Sequence, residues 1–334
     1  MNDLIRQSSE GQNIPEPAGD EDEIPQGASR ENLPVLSGEE GMRLDLFLSG
    51  RLGITRSFAR KLVEEGNVVI LPERRTRPGL KLSAGATVTA MIPPAERLEL
   101  EPEEVPFDVV YEDEEIVVVN KPSGIVVHPA PGNWHGTLVH GLLHRFRDFG
   151  AFNNILRPGI VHRLDASTSG LLVIARTQSS LESLQEQFRN RTVEKKYLAL
   201  AEGRMKTRRG IFESPVGRSG TNRLRMAAVP WGKPASTEFL VLWTRGGFSF
   251  MQCLLHTGRT HQIRVHLSSA GHPLVGDILY GAKSRQSEGL GRVFLHSWKL
   301  AFRHPATGRR VSFTSCLPEP LTGLLREILS TAGD

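Results

Sequence analysis

The period of the apolar positions changes along this chain, and each change marks a boundary. Residues 1–38 show no period: Glu, Asp, Pro, Gly and Ser dominate and aromatics are few. Such a stretch cannot bury enough apolar surface to offset the entropy of ordering, so a disordered acidic tail is expected. From Gly41 a helical period sets in through Leu44, Phe47 and Leu48. Thr55 is placed to cap a second helix carrying Ala59, Leu62 and Val63, and Gly66 stands where a C-terminal cap belongs. The pattern predicts a helix-turn-helix-like pair followed by short strands, a module spanning 39–92. Residues 93–106 are rich in Pro and Glu without a period, which suits a stiff linker.

Beyond it, strand-like runs take over. Val109–Tyr111 and Ile116–Val119 flank an acidic turn at Glu112–Glu115, and Leu171–Arg176 reads as a buried strand. Leu181, Leu184 and Phe188 then share one helical face, and Lys195–Leu200, Thr237–Trp243 and Phe248–Leu255 return to strand. Strands outnumber helices and come in consecutive pairs. An α+β domain with a mainly antiparallel or mixed sheet over 107–330 is therefore expected rather than a doubly wound fold.

Charge changes this picture. The formal balance is only +4, but residues 1–40 hold ten Asp and Glu against two Arg, leaving 39 basic and 27 acidic residues in the rest. A basic folded part favours a polyanionic partner, because Lys and Arg that neutralise phosphates release condensed counterions. On the N-terminal module, Arg51, Arg56, Arg60 and Lys61 fall on an exposed face that either grips phosphates or is an ordinary solvated surface, and the pattern favours neither. Two cysteines, Cys253 and Cys316, are too few for a thiolate zinc site, and the longest apolar runs are strand-sized. These features point to a soluble cytoplasmic protein, with no membrane association and no obligate protein partner.

The densest chemistry lies in Gly159-Ile160-Val161-His162-Arg163-Leu164-Asp165-Ala166-Ser167-Thr168-Ser169-Gly170, which runs straight into the apolar strand. A polar loop abutting a buried strand suits catalysis, since the strand fixes a reactive group while the loop keeps it reachable. The ordinary alternative is a turn in which Asp165 accepts bonds from the following Ser and Thr amides. An aspartyl-phosphate site would need a Gly-rich phosphate cradle or a carboxylate cluster, and neither is found. His256, His261 and His266 invite a metal, but five-residue spacing does not place them on one helical face and no carboxylate lies within the motif, so phosphate contact or loop packing is preferred. Thr260 is placed to cap a helix running toward Gly271, which would set Arg264 one turn inside it. The stretch holding Arg204, Lys206, Arg208, Arg209, Arg218, Arg223 and Arg225 reads as an RNA-facing loop or a solvated hairpin.

His162-Arg163-Leu164-Asp165, followed by Ser167, Thr168, Ser169, Gly170, Leu171 and Leu172, resembles the signature loop of the RluA-type RNA pseudouridine synthases. Three further stretches resemble that family in the same order: Val118 to Pro129 through Asn120-Lys121-Pro122-Ser123-Gly124, Glu194-Lys195-Lys196-Tyr197-Leu198-Ala199, and Thr257-Gly258-Arg259-Thr260-His261-Gln262-Ile263-Arg264-Val265-His266. Pro273 to Asp277 and Tyr280 agree as well. Gly41–Ile70 resembles the S4 RNA-binding module, which brings the chain nearest to the D subgroup of large-subunit ribosomal RNA enzymes. The departure is Leu71-Pro72-Glu73-Arg74-Arg75-Thr76-Arg77-Pro78, where S4 modules commonly carry a short strand and turn.

The resemblance implies isomerisation of uridine in structured RNA, with ribosomal RNA as first candidate and transfer RNA as second, and without a cofactor or a metal. By resemblance Asp165 is the nucleophile, attacking the ribose C1′ or base C6 or else helping to remove the C2′ proton. Arg264 would keep the carboxylate ionised and aimed. Tyr197 would pack on the uracil, and Arg163 would fill the vacancy left when the base leaves its stack. His162, Arg259, Arg56, Arg60 and Lys61 complete the residues expected to meet RNA. A non-catalytic RNA-binding or ribosome-assembly factor keeping the fold is the rival, and it predicts an altered nucleophile or tyrosine.

Overall fold

The computed structural model describes residues 29–54, 56–72, 75–92, 100–130, 132–146, 157–222 and 225–331. The chain divides into two compact units between residues 97 and 98.

In the first unit, β1 (Ser29–Pro34) precedes two helices, α1 (Leu44–Leu52) and α2 (Arg56–Glu64), which are followed by β2 (Val68–Leu71) and β3 (Thr87–Ile92). Leu44, Phe47 and Leu48 of α1 meet Ala59, Leu62 and Val63 of α2 in one core with Val68, Ile70 and Val88. This is the apolar stripe expected from the sequence. Gly66 adopts φ +81°, and the Asn67 N–H reaches the Leu62 carbonyl at 2.9 Å, a left-handed helix stop that glycine adopts without a Cβ penalty. The Thr55 cap lies outside the described residues.

The tail boundary needs correction. Residues 29–34 form a strand paired antiparallel along β3, in a sheet ordered β1-β3-β2, and Val35 is buried. Their side chains are mostly exposed on both faces, so no alternation marks the strand in the sequence; the backbone ladder holds it. The linker is shortened likewise. Residues 93–99 lie outside those described, but the Glu103 N–H already donates to the His140 carbonyl and its carboxylate accepts the Gly136 N–H, so this part belongs to the second unit.

The second unit opens with β4 (Asp108–Glu112), β5 (Ile116–Lys121), α3 (Leu138–Arg145), β6 (Ser169–Ala175), α4 (Gln178–Arg189), β7 (Glu194–Glu202), β8 (Arg209–Phe212), β9 (Val216–Arg218) and β10 (Met226–Ala228). It continues through β11 (Thr237–Arg245), β12 (Phe248–Leu255), α5 (Gln262–Ser269), α6 (Arg285–Leu290), β13 (Leu295–Arg303), β14 (Arg310–Thr314) and α7 (Glu319–Thr331). Nine strands make one sheet in the order β4-β5-β6-β13-β7-β12-β11-β8, with β14 added on β13. Among the described residues only the β6–β13 pairing is parallel, so the sheet is mixed and the domain α+β, as expected. Strand β6 is buried at all seven positions, because its neighbours β5 and β13 close both edges and helices and loops cover both faces.

The parallel contact between β6 and β13 depends on one residue. Gly170 has φ +114°, and an added Cβ would collide with the backbone of Ser297. Two backbones therefore approach here as closely as only glycine allows, and the strand that follows the polar loop is clamped at its first turn of ladder.

Candidate active site

The polar loop is held to β6 by its own residues. The Gly159 carbonyl accepts the Ala175 N–H at 2.9 Å, and His162 Nε2 accepts the Val173 N–H at 3.1 Å. The His162 ring also stacks on Phe188 of α4, with centroids 4.6 Å apart. Burial, with Lys195 adding, pushes its pKa down to about 3, so the ring is neutral and Nε2 is free to accept. His162 lines the cavity described below, and its Nε2, committed to the Val173 N–H, anchors the loop to the strand.

A second element clamps the loop from behind. Lys121 ends β5 fully buried, and its ammonium donates to the carbonyls of Pro122 and Ile125 at 2.8 Å and of Ala166 at 3.3 Å. Burial and the nearby Arg292 pull its pKa down to about 7. The Gly124 N–H and the Ser123 hydroxyl add bonds to the Ala166 and Ser167 carbonyls. Residues 166 and 167 are thus fixed by the turn after β5, and Asp165 is carried on a rigid support.

The Asp165 backbone carbonyl accepts the Thr168 N–H at 3.1 Å, closing the turn, while the side chain remains 16% exposed in the wall of a cavity of about 400 Å³. Tyr197, Arg163, Leu255, Arg259, His261 and Ile263 line the same cavity, whose size suits a small ligand or a single nucleotide. Among the described residues, the basic side chains within 4 Å of the carboxylate are Arg264, with Nη1 3.6 Å from Oδ2, and His261, with Nε2 3.9 Å from Oδ1. Both exceed hydrogen-bond length.

Arg264 is committed elsewhere. Its Nε and Nη2 donate to the two oxygens of Asp277 at 2.7 and 2.8 Å, and Asp277 is fully buried. The guanidinium also lies 4.9 Å from the centroid of the Tyr280 ring. Asp165 is therefore the second carboxylate of an arginine whose bidentate partner is Asp277, a role that reading the motif as an arginine–aspartate pair missed. Signals were present, since Asp277 stands in the last matched stretch, but nothing in the spacing of 264 and 277 reveals that they meet.

The start of α5 also differs from expectation. Its N-cap is His261, at φ 56° and without a side-chain cap, rather than Thr260. Capping by Thr260 is displaced because Gln262 organises the entry: its Oε1 accepts from the Arg259 N–H and the Thr257 hydroxyl, and its Nε2 donates to the Ser236 carbonyl and Thr237 hydroxyl. Arg259 consequently sits at the cavity with its Nε donating to the Pro234 carbonyl. Arg163 lines the cavity from an exposed position.

Tyr197 lies on β7 opposite Cys253 and Ser297 and is 5% exposed. Burial pushes its pKa well up, opposed by a hydrogen bond with Ser297 and reinforced by the Asp165 charge. The phenol keeps its proton, and offers the cavity a flat apolar face and an O–H rather than a phenolate.

The three histidines once weighed for a metal separate. His256 faces Glu238, His261 faces Tyr280, and His266 meets the Thr237 hydroxyl and Ser214 carbonyl. Among the described residues the group with ligand atoms close enough for an ion is Glu103, His135 and His140, none of which lines the cavity. There, His140 Nδ1 accepts from the Thr137 N–H and hydroxyl in a capping box for α3. That puts the proton on Nε2, facing Glu103 at 3.6 Å, and leaves this nitrogen no lone pair for a metal.

On the first unit, Arg56 pairs with the buried Asp45 at 3.0 Å, Arg60 with Glu64 at 2.7 Å and Lys61 with Glu65 at 3.7 Å. Arg43, with Arg56 adding, holds the Asp45 carboxyl down at about 2. All three cations remain more than half exposed, and the Arg60–Glu64 and Lys61–Glu65 surface pairs, spaced four apart and worth about 0.3–0.5 kcal/mol each, leave their cations able to meet a phosphate. Arg223 lies outside the described residues.

Comparison with known proteins identifies the family of each unit. The profile of the family described as RNA pseudouridylate synthase matches residues 115–269, and that of the S4 domain matches residues 42–88. A protein of Bacillus subtilis strain 168 named as an uncharacterized RNA pseudouridine synthase is 40% identical over 299 residues, covering 89% of this chain and 98% of the relative. The ribosomal large subunit pseudouridine synthase D of Neisseria meningitidis serogroup A is 42% identical over 305 residues, covering 88% of this chain and 80% of its own. The solved structure of human RNA pseudouridylate synthase domain containing 1 superposes with a TM-score of 0.53 at 28% identity, over 68% of this chain and 96% of that one.

Proposed function

This chain belongs to the RNA pseudouridylate synthase family, and we propose that Asp165 is the nucleophile with which it isomerises uridines of large-subunit ribosomal RNA. The reaction breaks the C1′–N1 bond of the nucleotide, turns the uracil and forms a C1′–C5 bond. The proton of C5 leaves to solvent and N1 takes one up, so no electrons are gained or lost. Attack at C1′, attack at C6 and removal of the C2′ proton all need an ionised carboxylate held beside the nucleotide. The observation that carries the reading is Asp165 itself, opening into the cavity beside Tyr197 while Arg264, held by Asp277, faces its other side.

In this reading the protonated Tyr197 packs its ring on the extruded uracil and keeps its O–H available to it. Arg163 and Arg259 meet the RNA at the rim, and Arg163 occupies the space the base leaves in the helix. The matched S4 domain, through Arg56, Arg60 and Lys61, adds sequence-independent grip on phosphates. Among the described residues no helix is long and apolar enough to cross a membrane, which is compatible with work in the cytoplasm.

The test uses ribosomal RNA transcripts carrying tritium at uridine C5. Wild type should release tritium and form pseudouridine without free uracil, and Asp165→Ala should do neither while still binding. Release by the variant at the wild-type rate would remove Asp165 from the chemistry. Binding by both proteins with release by neither would favour the assembly-factor reading, and free uracil would indicate a glycosidase.

A further inference from the structure

We propose that His261 is a positioning residue for the nucleophile: a neutral imidazole, locked with its proton on Nε2 by Tyr280, that aims a donor at one oxygen of Asp165 while Arg264 faces the other. This rests on the reading of Asp165 as the reacting carboxylate.

The first observation is conformational. His261 sits at φ 56° and ψ 21°, a left-handed backbone uncommon for residues with a Cβ. Its carbonyl accepts the Val265 N–H at 2.8 Å to start α5, and its ring packs edge-on to Tyr280 with centroids 5.6 Å apart.

The second observation fixes the tautomer. Tyr280 Oη has two polar neighbours among the described residues, the Met226 N–H and His261 Nδ1, each at 2.9 Å. A backbone N–H can only donate, and the phenol keeps its proton because burial raises its pKa. That proton needs an acceptor, and Nδ1 is the one in reach. Burial, with Arg264 and Arg163 adding and Asp165 and Asp277 opposing, lowers the His261 pKa, so the ring is neutral and its single proton is on Nε2. That nitrogen faces Asp165 Oδ1 at 3.9 Å while Arg264 Nη1 faces Oδ2 at 3.6 Å. The carboxylate lies between two donors, both slightly long, as catalytic contacts are before the substrate tightens them. A neutral donor orients the anion without adding a second positive charge beside the developing adduct.

The hairpin of β9 and β10 enters through Met226, whose N–H occupies the phenol oxygen.

The test begins with a readout that needs no activity. In the full chain labelled with ¹⁵N-histidine, long-range proton–nitrogen spectra at pH 7 should give His261, assigned by its loss in His261→Gln, the pattern of a neutral ring protonated at Nε2. Tyr280→Phe should shift it toward a tautomer mixture. An imidazolium or an Nδ1-protonated ring in the wild type would overturn the proposal whatever the enzyme's substrate.

Kinetics then separate aim from backbone. Asn tolerates the left-handed conformation better than Gln, but only Gln carries an N–H out to the Nε2 position. His261→Asn should lower kcat by about 10- to 100-fold, the loss of one bond to a charged group, with KM for RNA unchanged, and His261→Gln should recover most of it. If Asn matches wild type and Gln is the poorer variant, His261 serves only the turn. Failure of Asp165→Ala to abolish tritium release would instead sink the nucleophile reading, with the tautomer result standing.

Discussion

Replacing Asp277 by Asn tests the claim that Arg264 is a shared residue. The pair is deeply buried, with side chains 7% and 1% exposed, and is joined by two bonds of 2.7 and 2.8 Å. Removing one charge deprives a buried guanidinium of its bidentate counter-ion, a loss of about 3–5 kcal/mol in such settings. The Asn carbonyl still accepts one of the two N–H groups, which moves the expectation to the lower end, about 3 kcal/mol. A folding unit of this size drops about 2–4 °C per kcal/mol, so the melting temperature of the second unit should fall by about 6–12 °C. Calorimetry of the full chain at pH 7 reads this, and tritium release at a permissive temperature should fall as well, because the guanidinium is free to turn onto Asp165 and cap the attacking oxygen. Adding Arg264→Met removes the orphaned charge and should restore at least half of the lost stability while abolishing activity. A single variant melting within about 2 °C of wild type, or a double variant less stable than the single, would refute the arrangement.

The remaining expectations address the loop support, the strand clamp and the first unit. Lys121 has its pKa near 7 in the fold against about 10.5 unfolded, so the unfolded chain binds the proton more tightly between those values and the residue's contribution rises with pH across that window, being lost as pH falls toward 7. Urea titrations should show the stability of wild type relative to Lys121→Met increasing from pH 7 to 10, and a flat or falling difference would contradict a desolvated ammonium. Gly170→Ala places a methyl against the Ser297 backbone at a φ unsuited to alanine and should cost about 3 kcal/mol or more, read as a lower melting temperature or loss of soluble protein; an unchanged melt would refute the close approach. Replacing Arg60 and Lys61 together by Ala should weaken binding to ribosomal RNA uniformly and flatten the dependence of log affinity on log salt by roughly 1.4–1.8, whereas an unaltered slope would make that face an ordinary solvated one.

What could be read along the chain followed from short-range rules. The helices of the first unit are legible because Leu44, Phe47, Leu48, Ala59, Leu62 and Val63 repeat with the period of their own element, and Gly66 marks its stop. Strand β6 is legible because burial on both faces demands an unbroken apolar run. The loop before it stands out through the types and order of its residues, and its expected chemistry came from their resemblance to a known family. By contrast, β1 carries no alternation because it is exposed on both faces and is specified by β3, which lies 53 residues or more further on.

The same division runs through the site. The sequence pattern led to a basic α+β protein, and the resemblance of its motifs to a known family, rather than spacing, led to the expectation that Asp165, Tyr197 and Arg264 carry its chemistry. Only the tertiary structure decided that Asp277 holds Arg264, that His162 anchors the loop to β6, that Gln262 rather than Thr260 organises the entry to α5, and that Tyr280 fixes His261. Each of these is a hydrogen bond between residues 3 to 19 positions apart, and its existence depends on how the intervening chain folds back rather than on any period of the sequence. Local patterning fixes which face a residue occupies, but the partner across that face is chosen by packing at a distance, and the sequence carries no period that records it.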